Sequence, residues 1–144
     1  MPGDTYQLPL VAGYFSNNYR AFATNFYRQA FKNLTWFPFL PWRLNYPPEY
    51  AFTAIKDQTH STYLEEFYYP LRDSLFVNGL EPFENGVSRY NGAVKFEQAG
   101  QLWETKVIIR YYPSSVAVRL ALGIGIIASV FLLWKLSKRI IVNA

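Results

Sequence analysis

Residues 59–79 read THSTYLEEFYYPLRDSLFVNG, and the class of the folded part of the chain turns on the conformation given to this stretch. Thr62 followed three positions later by Glu65 has the form of a capping box, in which a hydroxyl and a carboxylate each satisfy a backbone N–H at a helix start. Leu64, Phe67, Leu71 and Leu75 then recur at helical spacing on one face. Asn78-Gly79 supplies a stop. The spacing therefore predicts a helix, which Pro70 either kinks or divides in two, since a proline is harmless at a first helical position. Glu65 and Glu66 would project about 100° apart on such a helix, so they form no paired-carboxylate site and are expected to be solvated.

Beyond the loop LEPFENG, the segments VSRYNGAVKFEQ (87–98) and LWETKVIIRYY (102–112) read as two strands around AGQ. Tyr90, Val94 and Phe96 share one face of the first, and Trp103, Val107, Ile109 and Tyr111 share one face of the second. Charged residues alternate with them, from Arg89, Lys95 and Glu97 to Glu104, Lys106 and Arg110, which predicts a half-solvated antiparallel hairpin. A hairpin of this kind is marginal alone in water, so the preceding helix or a partner must cover its apolar face. Pro113 ends the second strand, and Ser114-Ser115 separate it from a very different segment.

Val116 to Trp134 is a run of nineteen residues whose only charge is Arg119. That length is close to the roughly 20 residues a helix needs to cross about 30 Å of hydrocarbon. Its strongly apolar side chains contribute roughly −4 kcal/mol on an insertion scale. Arg119, near the start, is expected to extend its guanidinium to the headgroups while its methylenes stay in lipid. Tyr111 and Tyr112 before the run, and Trp134, Lys135, Lys138 and Arg139 at its far end, stand where membrane-interface anchors belong. A buried core helix would need wrapping on every side, which a chain of 144 residues can hardly supply. Ala117, Ala121, Gly125 and Ser129 recur every fourth residue and offer a face on which another helix can approach closely.

Upstream, LTWFPFLPWRLNYPPEY (34–50) holds Trp36, Phe37, Phe39, Trp42, Tyr46 and Tyr50 among four prolines. Prolines at this density exclude a regular helix or a central strand, so the segment is expected to be an extended arm whose aromatics bind a protein partner. Before it, Phe15, Tyr19, Phe22, Phe26 and Ala30 form a stripe on a predicted helix, with Asn17, Thr24, Asn25, Arg28 and Lys32 on the other side. That stripe has three open destinations: the chain's own domain, a headgroup layer, or a partner.

Charge follows the same division. The first 48 residues carry Asp4 against Arg20, Arg28, Lys32 and Arg43, whereas residues 49–118 carry nine acids against six bases. The formal +4 of the whole chain comes from Arg119, Lys135, Lys138 and Arg139, which flank the apolar run and serve orientation rather than nucleic-acid binding. An acid-free, arginine-bearing start after Asp4 is similar to mitochondrial targeting segments. With no cysteine and a single histidine, His60, thiol catalysis, iron–sulfur ligation and Cys/His zinc sites are excluded. His60 has no nucleophile or orienting carboxylate in a recognisable set, and the glycines lack phosphate-loop order. Asn33-Leu34-Thr35 matches a glycosylation acceptor, which matters only in a secretory lumen.

The sequence thus predicts an α+β membrane-surface domain, with amphipathic helices plus an antiparallel β-hairpin, carried on a single C-terminal transmembrane helix. Its parts are an N-terminal helix and arm (1–48), a helix-plus-hairpin domain (49–115), the span (116–135) and a basic tail (136–144). The expected role is a non-catalytic accessory subunit of a mitochondrial inner-membrane energy-transducing complex, a respiratory or ATP-synthesising assembly. Its expected partners are other subunits and membrane lipid, with no cofactor, metal, nucleic acid or small-molecule substrate. The alternative is a tail-anchored adaptor of the mitochondrial outer membrane, because the C-terminal helix with basic flanks resembles the anchors of such proteins. The three basic residues after the span place the tail on the matrix or cytoplasmic side, and tail-anchored insertion argues the reverse.

Overall fold

The computed structural model describes residues 8–36, 38–50 and 61–142. Within it, residues 61–80 form an antiparallel hairpin, not a helix: β3 is Ser61–Tyr68 and β4 is Ser74–Leu80. The expected α+β class is corrected accordingly. The described chain is mostly antiparallel sheet, with one helix packed on it and one apolar helix leaving it.

The reason lies in burial on both faces. Tyr63, Glu65 and Phe67 point to one side of β3 and Leu64 to the other, and all four are buried. A strand covered on both sides loses its apolar–polar alternation, and a helical spacing can then arise by coincidence. Leu64 and Phe67 share no surface; they belong to separate core clusters on opposite faces. The expected capping box is absent as well. The Thr62 hydroxyl accepts the Glu81 N–H at 3.1 Å, while Glu65 is buried and ion-paired instead of solvated. Pro70 and Leu71 occupy the turn between the strands, where Leu71 takes a left-handed φ of 58°. Asn78-Gly79, expected as a stop, lies inside β4 because Gly79 lets the Tyr63 ring lie against the backbone; an added Cβ would come within 1.9 Å of it.

Three more strands complete the main sheet: β1 (Val11–Ser16), β2 (Trp42–Tyr46) and β9 (Thr105–Tyr112). The order is β1-β9-β4-β3-β2, with every neighbour antiparallel. The expected hairpin around AGQ is confined to short β7 (Phe96–Gln98) and β8 (Gln101–Trp103), turning through Ala99 and Gly100 at positive φ. A second short pair, β5 (Phe83–Glu84) and β6 (Val87–Ser88), turns at Asn85-Gly86. Thr105–Tyr112 is therefore an interior strand, not half of a solvated ribbon. β2 obeys the proline argument by lying at a sheet edge.

The connection from β1 at one edge to β2 at the other is α1 (Arg20–Asn33), which crosses one face of the sheet. Its buried side is Ala23 and Phe31, with Tyr27 half-buried between them. Of the stripe Phe15, Tyr19, Phe22, Phe26 and Ala30, the members within α1 lie one residue, about 100°, away from this buried face. Phe22 and Phe26 are more than half exposed, and Phe15 belongs to β1. Small Ala23 allows the helix close to the sheet, and the same rotation aims Arg20 at the buried Glu65. The opposite face of the sheet buries Leu64, Leu80 and Ile108, with Phe76 and Phe96 packed on them.

The last element, α2 (Val116–Val142), continues past the expected boundary at Lys135. Val116–Ile140 is long and apolar enough to cross a membrane, and none of its most apolar window is buried inside the protein. Among the described residues, one helix therefore meets the length and composition requirements of a single pass.

Candidate functional site

Two polar constellations stand out, one where α2 joins the sheet and one at the N-terminal end of α1. The joint is built by the β3–β4 turn and the end of β9. The Asp73 carboxylate accepts hydrogen bonds from the Tyr111 hydroxyl at 2.7 Å, the Ser114 N–H at 3.0 Å and the Arg119 guanidinium at 2.6 Å. Arg119 also donates to the Ser114 carbonyl at 2.6 Å and to its hydroxyl at 3.1 Å. Burial opposes ionisation of Asp73, but the Ser114 N–H, the Tyr111 hydroxyl and the Arg119 charge together hold its carboxyl below the usual range. Burial and the neighbouring Asp73 push the Tyr111 hydroxyl up. Arg119 thus has a partner in the folded domain. With Pro113 and two serines as the only connector, this ion pair fixes the direction in which the helix leaves.

The second constellation lines a polar pocket of about 570 Å³ that includes Arg20, Thr24, Arg43, Thr62, Glu81 and Arg89. Beside it, Glu65 is fully buried and gripped by two guanidinium groups, with Arg20 at 3.1 and 2.6 Å and Arg43 at 2.9 Å through two nitrogens. The fork geometry satisfies the carboxylate and leaves one positive charge over. Glu81 is also buried. One of its oxygens accepts from Arg89 at 3.3 Å while the other has no partner among the described residues. Burial raises its pKa, opposed by Arg89. The pocket can hold a polar group, and its described lining shows no activated nucleophile or base–orienter pair. Among the described residues no cluster has the makings of a metal site. His60 lies outside the described residues.

A third surface is apolar. Between α1 and the β1 side of the sheet runs a groove of about 440 Å³, lined by Tyr14, Phe22, Phe26, Tyr27 and Leu34 among others.

The residues that the sequence singles out fall on several parts of the structure. Ala117, Ala121, Gly125 and Ser129 lie exposed along α2, and the Ser129 hydroxyl donates back to the Gly125 carbonyl at 2.8 Å. At the far end, the Lys138 ammonium lies 4.2 Å from the centre of the Trp134 ring, beside exposed Lys135 and Arg139. Tyr111 packs beneath α1 with Phe31, and the Tyr112 ring meets Phe76 and Arg110. Of the arm, Trp36, Phe39 and Trp42 are exposed, while Tyr46 stacks on Phe76 and donates to Glu66 at 2.9 Å. Phe37 lies outside the described residues. The sequence missed Asp73, Glu65 and Glu81 as structural centres. The arginine partners of Glu65 and Asp73 lie 22 to 46 positions away along the chain, whereas Glu81 bonds Arg89 eight positions on.

No protein-family profile, curated protein or solved structure matches this chain.

Proposed function

We propose that the chain is a non-catalytic, single-pass structural subunit of a larger membrane assembly, and more specifically of an energy-transducing complex of the mitochondrial inner membrane. One observation carries this reading: a span with none of its apolar window buried is locked to a folded sheet by the Asp73–Arg119 pair. A flexible tether would serve a recruiting adaptor. A fixed joint serves a part that must hold its domain in one orientation against neighbours. The mitochondrial assignment draws on the acid-poor, arginine-bearing first 48 residues and the cations that follow the span. The partners of this reading are other subunits and membrane lipid, without nucleic acid, cofactor or small-molecule substrate.

The test is migration of the full chain on native gels after mild detergent extraction of its own membranes. A subunit runs far above its 16.8 kDa, and Gly125→Leu weakens its incorporation. Recovery of the native chain as a lone monomer overturns the proposal. Protease treatment of intact organelles then distinguishes the inner-membrane subunit, whose sheet domain is spared, from an outer-membrane adaptor, whose domain is digested.

A further inference from the structure

We infer that the aromatic arm is a lipid-facing foot: the end of the sheet from which α2 departs rests in the headgroup layer of the bilayer that α2 crosses. This rests on the membrane-anchored reading and reassigns a surface that the sequence alone suggested was for protein.

Registry places the arm. Trp42 pairs with Tyr68, Ser74 pairs with Tyr112, and Val11 pairs with Arg110. The starts of β1 and β2, the β3–β4 turn and the end of β9 therefore all lie at one end of the sheet, the end that leads into α2. The C-terminal end of α1 reaches it too, since Phe31 packs on Tyr69 and Tyr111. The Tyr69 hydroxyl holds the Phe39 carbonyl at 3.0 Å, which pins the arm to the same end. Leu10, Leu34, Trp36, Phe39, Trp42 and Leu71 are all exposed there, Trp36 by 86% and Phe39 by 73%. Residues 34–42 contain no charge.

The joint sets the depth. Arg119 lies three residues into α2, about 4.5 Å along its axis, and its bond to Asp73 brings the β3–β4 turn to that level. The uncharged run from Leu120 to Trp134 covers only about 22 Å at 1.5 Å per residue, short of a hydrocarbon core near 30 Å. The bilayer surface must therefore come up to Arg119, and with it to the rim. β2 is three strand spacings from β9, about 14 Å sideways, so the rim forms a broad foot beside the helix. Exposed tryptophan, phenylalanine and leucine without charge suit this layer, where an apolar face sinks about 5–10 Å. The charged pocket with Arg20, Arg89 and Glu81 sits at the other end of α1, in water.

The chain has no cysteine, so single nitroxide labels can be placed without altering the background. Full-length Trp36→Cys, Phe39→Cys and Leu71→Cys chains, each labelled in phosphatidylcholine vesicles, are compared with Phe22→Cys near the start of α1 and Ile127→Cys within the span. These positions are exposed, so labelling leaves the core intact. The expected result is that the three rim labels favour oxygen over a water-soluble nickel complex, with nickel accessibility several-fold below that at Phe22. Rim labels as open to nickel as Phe22, with Ile127 shielded, overturn the foot while leaving the anchor standing; this is the outcome for a surface reserved for protein. Nickel access at Ile127 overturns the anchor and the foot together.

Discussion

The Arg119 guanidinium lies 2.6 Å from the Asp73 carboxylate, across 46 positions of sequence, and joins the turn of a β-hairpin to the first turn of the apolar helix α2. Neither residue is freely solvated, with side-chain exposures of 29% and 14%, so the pair is stronger than a typical surface salt bridge.

Asp73→Asn and Arg119→Ala are each expected to loosen the joint, at a cost of about 1–3 kcal/mol for a charge-assisted contact. Spin-label distances between the sheet and α2 should broaden in both variants. The pH dependence has a definite sign. The folded-state pKa of Asp73 is depressed, so its contribution is present at neutral pH and is lost as the pH falls through the ordinary carboxylate range and below. The wild-type distance distribution should broaden on acidification, and that of Asp73→Asn should already be broad at neutral pH. An unchanged narrow distribution in Arg119→Ala would refute the locked joint.

Glu65 gives an asymmetric prediction. Arg20 and Arg43 keep 41% and 38% of their side chains exposed, while Glu65 has none. Removing both arginines as Arg20→Met and Arg43→Met leaves a buried, unpaired carboxylate and should cost about 3–5 kcal/mol. Glu65→Met frees two guanidinium groups that can return to water, and should cost no more than about 1 kcal/mol. Urea unfolding of the detergent-solubilised chain, followed by tryptophan fluorescence, ranks the two. Equal losses would mean that the pair does not work through burial of its acid.

Gly79 and Tyr63 make a close approach that one methyl group should break. Because a Cβ would fall within 1.9 Å of the buried Tyr63 ring, Gly79→Ala is expected to destabilise the domain by about 1–3 kcal/mol or more. Tyr63→Phe should be neutral or stabilising, since the phenolic oxygen is buried with no partner among the described residues and its loss removes an unpaired polar group. The same unfolding assay reads both. A tolerated Gly79→Ala would place the ring elsewhere.

Legibility divides along the range of the interactions involved. α2 was readable from composition because the apolar character of a long helix is a sum over neighbouring residues. Of the candidate site, the sequence marked Arg119 and the arm, but not Asp73, Glu65 or the side on which the arm would lie. Those depend on strand registry, which pairs residues tens of positions apart. Nothing in the order of amino acids near Glu65 announces that Arg20 and Arg43 will close over it.

By itself, then, the sequence determined the apolar helix, its charged ends and the exclusion of the proline-rich segment from the middle of a sheet. Tertiary structure alone decided that residues 61–80 are two strands, that α1 turns Ala23 and Phe31 inward and leaves Phe22 and Phe26 outside, and that Arg119 belongs to the domain. The physical reason is that a long apolar run is settled by the sum of its own residues. A strand buried on both faces carries no periodicity of its own and acquires its identity from the neighbours that pair with it.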